Sequence, residues 1–224
     1  KFAVTLGGAV WYGPAREPEH MSFGEEPMPA GEPKPRSKQA PRWAELYRSL
    51  VTTPEVAVQA VKSGDRVYIH PGCASPEPLI EALCARAPSL TNVEAVHLLT
   101  LGKAGHTLPE MEGHFRHNAM FIGANARQAV NEGRADYTPI FLGEIARLFR
   151  EDALPIDVAL IQVSPPDAHG FCSLGVGVDH TLDAARHARH VIAEVNDRMP
   201  RTHGDAFLHV RQFHGVVETS RPLP

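Results

Sequence analysis

The chain has 224 residues, 43% of them hydrophobic and 21% charged, an ordinary balance for a globular protein. That excludes collagen-like, disulfide-scaffold and wholly disordered classes. With 22 Lys and Arg and a net charge of −4, the chain as a whole is a poor general nucleic-acid binder. No stretch approaches the ~18 uninterrupted apolar residues of a membrane-spanning helix. Three cysteines, Cys73, Cys84 and Cys172, are odd in number and widely spaced, which fits reduced thiols in a cytoplasmic protein.

Seven of the 20 prolines fall in the first 42 residues. Residues 13–42 are rich in Pro, Glu, Gly and Lys, a composition that buries too little apolar surface to offset the entropy of ordering. The segment 1–42 is therefore predicted to be a flexible arm: a plain tail, a docking arm, or residues ahead of a native start at Met21 or Met28. The apolar run Phe2–Tyr12 is short and broken by Gly7 and Gly8. No clear small-x-small cleavage site follows, so it is not read as a signal peptide.

The texture changes at Trp43, and one domain is predicted over 43–224. Trp43, Leu46, Tyr47 and Leu50 have helical spacing. Thr53-Pro54 reads as an N-cap followed by proline at the first helical position, with Val56, Ala57, Ala60 and Val61 as the buried stripe. A glycine stop, Ser63-Gly64-Asp65, ends that helix. Strand Arg66–His70, loop Pro71–Pro76 and helix Pro76–Arg86 then open an α/β unit. Further strands are predicted at 93–100, 119–122, 137–141, 157–163 and 190–195. Helices are predicted at 124–131, 142–150 and 181–189. The nearly continuous apolar run Val158–Val163 has the composition of a strand buried on both faces in a parallel sheet. Residues 201–224 show weak periodicity, and their ending, Arg221-Pro-Leu-Pro224, reads as a linker. The pattern predicts an open, mainly parallel α/β sheet with helices on both faces and right-handed crossovers.

Ligands in such sheets bind beyond the carboxyl ends of the strands, here loops 71–76, 101–113, 123–127, 164–179 and 196–204. The small residues Gly72, Cys73 and Ala74 would let backbone N–H groups approach a phosphate or carboxylate. The same stretch also reads as an ordinary βα turn. It is neither G-x-G-x-x-G nor a P-loop, so those modes of nucleotide binding are unsupported. Cys73 as a nucleophile would need an adjacent base that the sequence does not identify. Asn125 and Arg127 stand at a helix start, where Arg127 could hold an anion or pair with an acid such as Asp136. Asp167 and Ser173 read as ligand contacts or turn-formers. Glu194 and Asn196 end the last predicted strand. Thirteen histidines invite a metal reading. His114/His117 and His187/His190 have i, i+3 spacing, but no H-E-x-x-H accompanies them, and they read as packing or surface residues.

Read in order, several stretches resemble one family. They are Trp43–Tyr47, Ser63-Gly-Asp-Arg-Val67, Pro71–Pro76, Phe121-Ile-Gly-Ala-Asn-Ala-Arg127 and Gly133-Arg-Ala-Asp-Tyr-Thr-Pro139. Asp157–Gly170 and Ala193-Glu-Val-Asn-Asp-Arg-Met-Pro-Arg-Thr-His-Gly204 complete the set. Together they resemble the amino-terminal domain of the acetyl-CoA hydrolase/transferase family, which includes 4-hydroxybutyrate and acetate CoA-transferases. The resemblance implies a CoA-transferase-type domain paired with a similar carboxy-terminal domain, the active site lying between them. It also implies covalent catalysis. A glutamate attacks an acyl-CoA, an acyl-glutamyl anhydride gives a glutamyl-CoA thioester, and a second carboxylate collects the CoA. That glutamate belongs to the carboxy-terminal domain, so no catalytic residue is carried onto this chain. Some members carry a histidine in the first βα loop; the matching position is Pro71, beside His70.

On this reading the candidate substrate-binding residues are Gly72, Cys73, Ala74, Asn125, Arg127, Asn196, His203 and Gly204. The substrates are acyl-CoA and small carboxylates, with no permanently bound cofactor, no metal, no nucleic acid and no membrane. The expected partner is a carboxy-terminal half or a second copy. The alternatives are a non-catalytic module binding a CoA-type ligand or a partner, and a sugar-phosphate isomerase on a similar fold.

Overall fold

The computed structural model describes residues 41–224. The reading of Phe2–Tyr12, the two candidate starts and nearly all of the arm fall outside the described residues.

Nine strands follow in chain order: β1 (Arg66–Ile69), β2 (Val93–His97), β3 (Phe115–Ala119), β4 (Ala135–Tyr137), β5 (Val158–Val163), β6 (Phe171–Ser173), β7 (His190–Asn196), β8 (Phe207–His209) and β9 (Gly215–Thr219). Among the described residues, six α-helices accompany them: α1 (Arg42–Leu50), α2 (Pro54–Ala57), α3 (Glu77–Ala85), α4 (Ala124–Asn131), α5 (Ile145–Arg150) and α6 (Thr181–His187). Seven strands form one sheet in the order β4-β3-β2-β1-β5-β7-β9, and every neighbouring pair is parallel. β6 and β8 form a separate antiparallel pair.

Side chains alternate across the sheet and feed two cores. On one face Val67, Ile69, Val158 and Leu160 pack with Leu79, Ile80 and Leu83 of α3. On the other Tyr68, Ala159, Ile161 and Ala193 pack with Ile145 and Phe149 of α5 and Leu182 of α6. All six residues of β5 are buried, as the composition of the run predicts. Helices therefore cover both faces.

Local rules place several elements. The Thr53 hydroxyl accepts from the Val56 amide, and Pro54 begins α2. The helix ends early, however, and the chain continues as a 3₁₀ turn over Val58–Ala60. Val58 is fully buried while Val56 is 52% exposed, so the buried stripe is Ala57, Val58 and Val61.

Other elements depart from the pattern. β3 covers 115–119, not 119–122, because its polar residues find partners: Arg116 pairs with Asp136 and Asn118 donates to Glu94 at 2.7 Å. β4 covers 135–137, not 137–141, since Asp136 is the partner that Arg116 needs. The long loop expected at 164–179 contains β6. The weakly periodic stretch 201–219 forms β8 and β9.

Leu160 lies at the centre of the sheet with no exposed surface. Leu160→Ala is expected to lower the unfolding free energy by about 2–5 kcal/mol, the cost of lost burial plus a cavity. Urea denaturation reads it; a loss below about 1 kcal/mol would contradict the packing described.

Candidate functional site

From β1 the chain runs outward through β2, β3 and β4, then returns to the other side of β1 to build β5, β7 and β9. The loops after β1 and β5 therefore diverge, leaving a crevice of the kind that receives ligands in open α/β sheets.

The floor of this crevice is polar and fully buried. His70 lies one residue beyond β1, and its Nδ1 accepts from the Gln162 amide at 3.1 Å. Its Nε2 therefore carries the proton and donates to the Gly177 carbonyl at 2.6 Å. Burial pushes this imidazole down to about 4, so the ring is neutral near pH 7. Gly177 has no side chain for a steric reason: a Cβ there would meet the His70 ring and stand 2.8 Å from the Ala74 methyl.

A second set of bonds ties this floor to β7 and the end of the chain. Glu194 has no exposed surface. Its carboxylate accepts from Arg221 Nε at 2.6 Å and Nη2 at 3.1 Å, and from the Thr219 hydroxyl at 2.8 Å. Arg221 Nη2 also donates to the Ser75 carbonyl at 2.6 Å, which the Gln162 side chain reaches at 3.1 Å. Asn196 donates to Gln162 Oε1 at 3.0 Å and to the Arg221 carbonyl at 2.9 Å. Its own oxygen accepts from the Arg198 and Arg221 amides. Asn196 is a strut whose side chain is fully used. Arg221 escaped the sequence reading, and no spacing signal announces it; the only hint was a carboxylate at a strand end that needs a cation.

The outer candidates divide into two groups. Gly72 takes a left-handed φ of +62°, and its amide donates to the Leu99 carbonyl at 2.8 Å. Cys73 beside it is partly exposed, whereas Ala74 is fully buried beneath Gly177. The Asn125 side chain donates to the Gly102 carbonyl, joining the start of α4 to the loop after β2. Arg127 is exposed, and among the described residues it forms no ion pair; Asp136, its expected acid, is taken by Arg116. His203 and Gly204 are exposed in a different loop. That loop is pinned to β6 by Thr202, which contacts the Ser173 hydroxyl and the Gly175 carbonyl. Asp167 behaves as a turn-former, accepting from the His169 and Phe171 amides and pairing with Arg201.

The spaced histidine pairs part company. His114 binds the Leu90 carbonyl while His117 binds His106; His187 binds the Asp183 carbonyl while His190 packs on His214. Among the described residues, no group of three or more His, Cys, Asp or Glu side chains is placed to hold a metal. No described helix is long and apolar enough to cross a membrane.

Beside the crevice, the carboxyl ends of β2 and β3 and the segment after β4 form an apolar lip. Phe121, Phe141 and Leu142 are 59%, 82% and 65% exposed. Phe121 and Leu142 rim a hollow of about 370 Å³ lined also by Leu98, Leu99 and Met120.

The family model described as "Acetyl-CoA hydrolase/transferase N-terminal domain" matches residues 34–223. The chain belongs to this family. It is 48% identical over 181 residues to the 4-hydroxybutyrate coenzyme A transferase of Clostridium kluyveri, covering 81% of this chain and 42% of that protein. RipA from Yersinia pestis superposes with a TM-score of 0.77 at 31% identity, over 82% of this chain and 45% of that one. The 4-hydroxybutyrate CoA-transferase of Porphyromonas gingivalis gives 0.69 at 32% identity, over 82% and 42%. The chain thus spans less than half the length of the relatives it matches.

The buried pair gives this family domain a testable weak point. Arg221→Ala leaves the Glu194 carboxylate uncompensated and should cost about 3–5 kcal/mol. Arg221→Ala combined with Glu194→Gln should recover much of that, as a neutral amide is cheaper to bury. Chemical denaturation compares them; equal stability of the two variants would mean the pair is not held as described.

Proposed function

We propose that this chain supplies the amino-terminal wall of an acyl-CoA:carboxylate CoA-transferase that moves CoA between short carboxylic acids. The observation that carries the reading is the open apolar lip at the carboxyl edge of a family domain, where relatives have more than half their length still to add. Exposed aromatic surface of this kind marks a docking face.

In this reading a carboxy-terminal half provides the glutamate. Its carboxylate attacks the acyl-CoA carbonyl and the CoA thiolate leaves, giving a mixed anhydride. The thiolate then attacks the glutamyl carbonyl, releasing the first acid and leaving a glutamyl-CoA thioester. An acceptor carboxylate reverses the sequence. This chain's part is to position and to exclude water, through loops 71–76, 123–127, 164–175 and 196–204. Gly72, Cys73, Asn125, Arg127, His203 and Gly204 face solvent or the crevice there, while Ala74 and Asn196 act from beneath. The CoA thioester is substrate, and no resident cofactor is required. A cytoplasmic setting belongs to the same reading and is supported by three free cysteines.

The alternative is a non-catalytic module that binds a partner or a CoA-type ligand through the same lip. Acyl transfer from acetyl-CoA to a panel of short carboxylates separates the two. The chain alone is expected to be silent, with turnover on adding the carboxy-terminal half of a related full-length enzyme. Turnover by the chain alone would overturn the proposal. Silence in both, with a tight homodimer burying Phe141, would favour the binding module.

A further inference from the structure

Three histidines gather beneath the carboxyl ends of β2 and β3. His97 closes β2, His117 lies mid-β3, and His106 sits on the single turn Gly105–Thr107. Val93, Ala95 and Phe115 face the α3 side of the sheet, and strand alternation puts His97 and His117 on that side as well. The His117 ring centroid is 6.2 Å from that of His97 and 5.1 Å from that of His106. Each ring is at most 2% exposed. His106 Nε2 and His117 Nδ1 share a hydrogen bond of 3.0 Å, and His97 Nδ1 meets the Thr100 hydroxyl at 2.8 Å. Among the described residues, His97 Nε2 and His106 Nδ1 have no partner.

The surroundings offer no counter-charge. On α3, Glu77 bonds Ser75, Glu81 bonds Lys103, and burial pushes the Cys84 thiol up to about 11, leaving it neutral. Towards β4, Arg134 donates to the Thr107 carbonyl and pairs with Glu132. Glu94 and Arg116, the charged residues on β2 and β3, point to the other face and pair with Arg66 and Asp136. His70 and His180 are the remaining titratable neighbours, and His180 has its own acids, Asp179 and Asp183. Among the described residues, no carboxylate bonds any of the three rings. Burial accordingly holds them neutral, with His106 pushed down to about 3 and His117 to about 4.

We propose that this trio is an acid-sensitive latch. Its protonation opens the β2–β3 side of the sheet and the loops 98–104 and 120–125 that it carries, more than it does the β5–β7 strands, where His70 and His214 each accept one backbone amide. With His106 Nε2 donating to His117 Nδ1, a first proton enters at the free Nδ1 of His106 and keeps that bond. A second, on His117 Nδ1, sets two N–H groups face to face. A cation on His97 finds no acceptor at Nε2. Unfolded histidines take up protons near about 6.5, so below that pH the open form binds more protons than the closed one. The latch is therefore intact above about 6.5 and weakens as pH falls towards about 4, each proton favouring opening by up to ~10-fold per pH unit.

Hydrogen exchange on the chain, corrected for intrinsic rates, tests this. Between about pH 7.5 and about pH 5, peptides from 93–107 and 115–124 should lose at least ~10-fold more protection than the amides of 158–161 and 192–196, none of which bonds a histidine ring. His106→Gln with His117→Gln should flatten that difference. Equal loss across all strands overturns the latch. If the double variant does not fold, histidine-ring NMR of the unaltered chain decides. Rings of the trio that stay neutral at about pH 5.5 support the latch; titration near about 6.5 in the folded protein overturns it.

Discussion

Glu194 sits inside the sheet with no exposed surface, and a carboxylate there is tolerable only with an opposite charge and saturated hydrogen bonds. Arg221 supplies both from the last segment of the chain. The same guanidinium grips the Ser75 carbonyl, so β7, the chain end and the loop after β1 become one piece. Gln162 and His70 continue the network into β5 and the Gly177 segment. The Gly72–Cys73 turn adjoins this assembly, and the Gly72 amide is held by the Leu99 carbonyl.

Two kinds of surface meet at the carboxyl edge. Around the switch between β1 and β5, buried polar groups bond to one another and form a rigid floor. Beside it, Phe121, Phe141 and Leu142 leave large apolar area open. The buried polar floor and the exposed apolar lip beside it are the two features on which the proposed function rests. The histidine trio lies beneath the carboxyl ends of β2 and β3, on the α3 side of the sheet.

The residues show where sequence reading works. β5 was legible because a run buried on both faces is apolar throughout. The Thr53-Pro54 start of α2 was legible because capping is decided within four residues. β3 was misplaced because Arg116, His117 and Asn118 look like loop residues until Asp136, His106 and Glu94 are seen beside them. β6 and β8 hold three residues each, too few for a period to declare itself. Of the site, the position of Gly72 and Cys73 after β1 was readable, but the use of Asn196 as a strut and the role of Arg221 were not.

Family, α/β class and the order of most elements followed from the sequence alone, because periodicity, capping and motif order act over short spans of chain. Which polar residues became structure and which stayed open was decided by the fold. The Glu194–Arg221 pair joins residues 27 apart, and the Arg221–Ser75 bond joins residues 146 apart. Such partners exist only once the sheet has brought distant segments within hydrogen-bond reach, and burial then sets whether a histidine or a carboxylate there is neutral, paired or exposed to change.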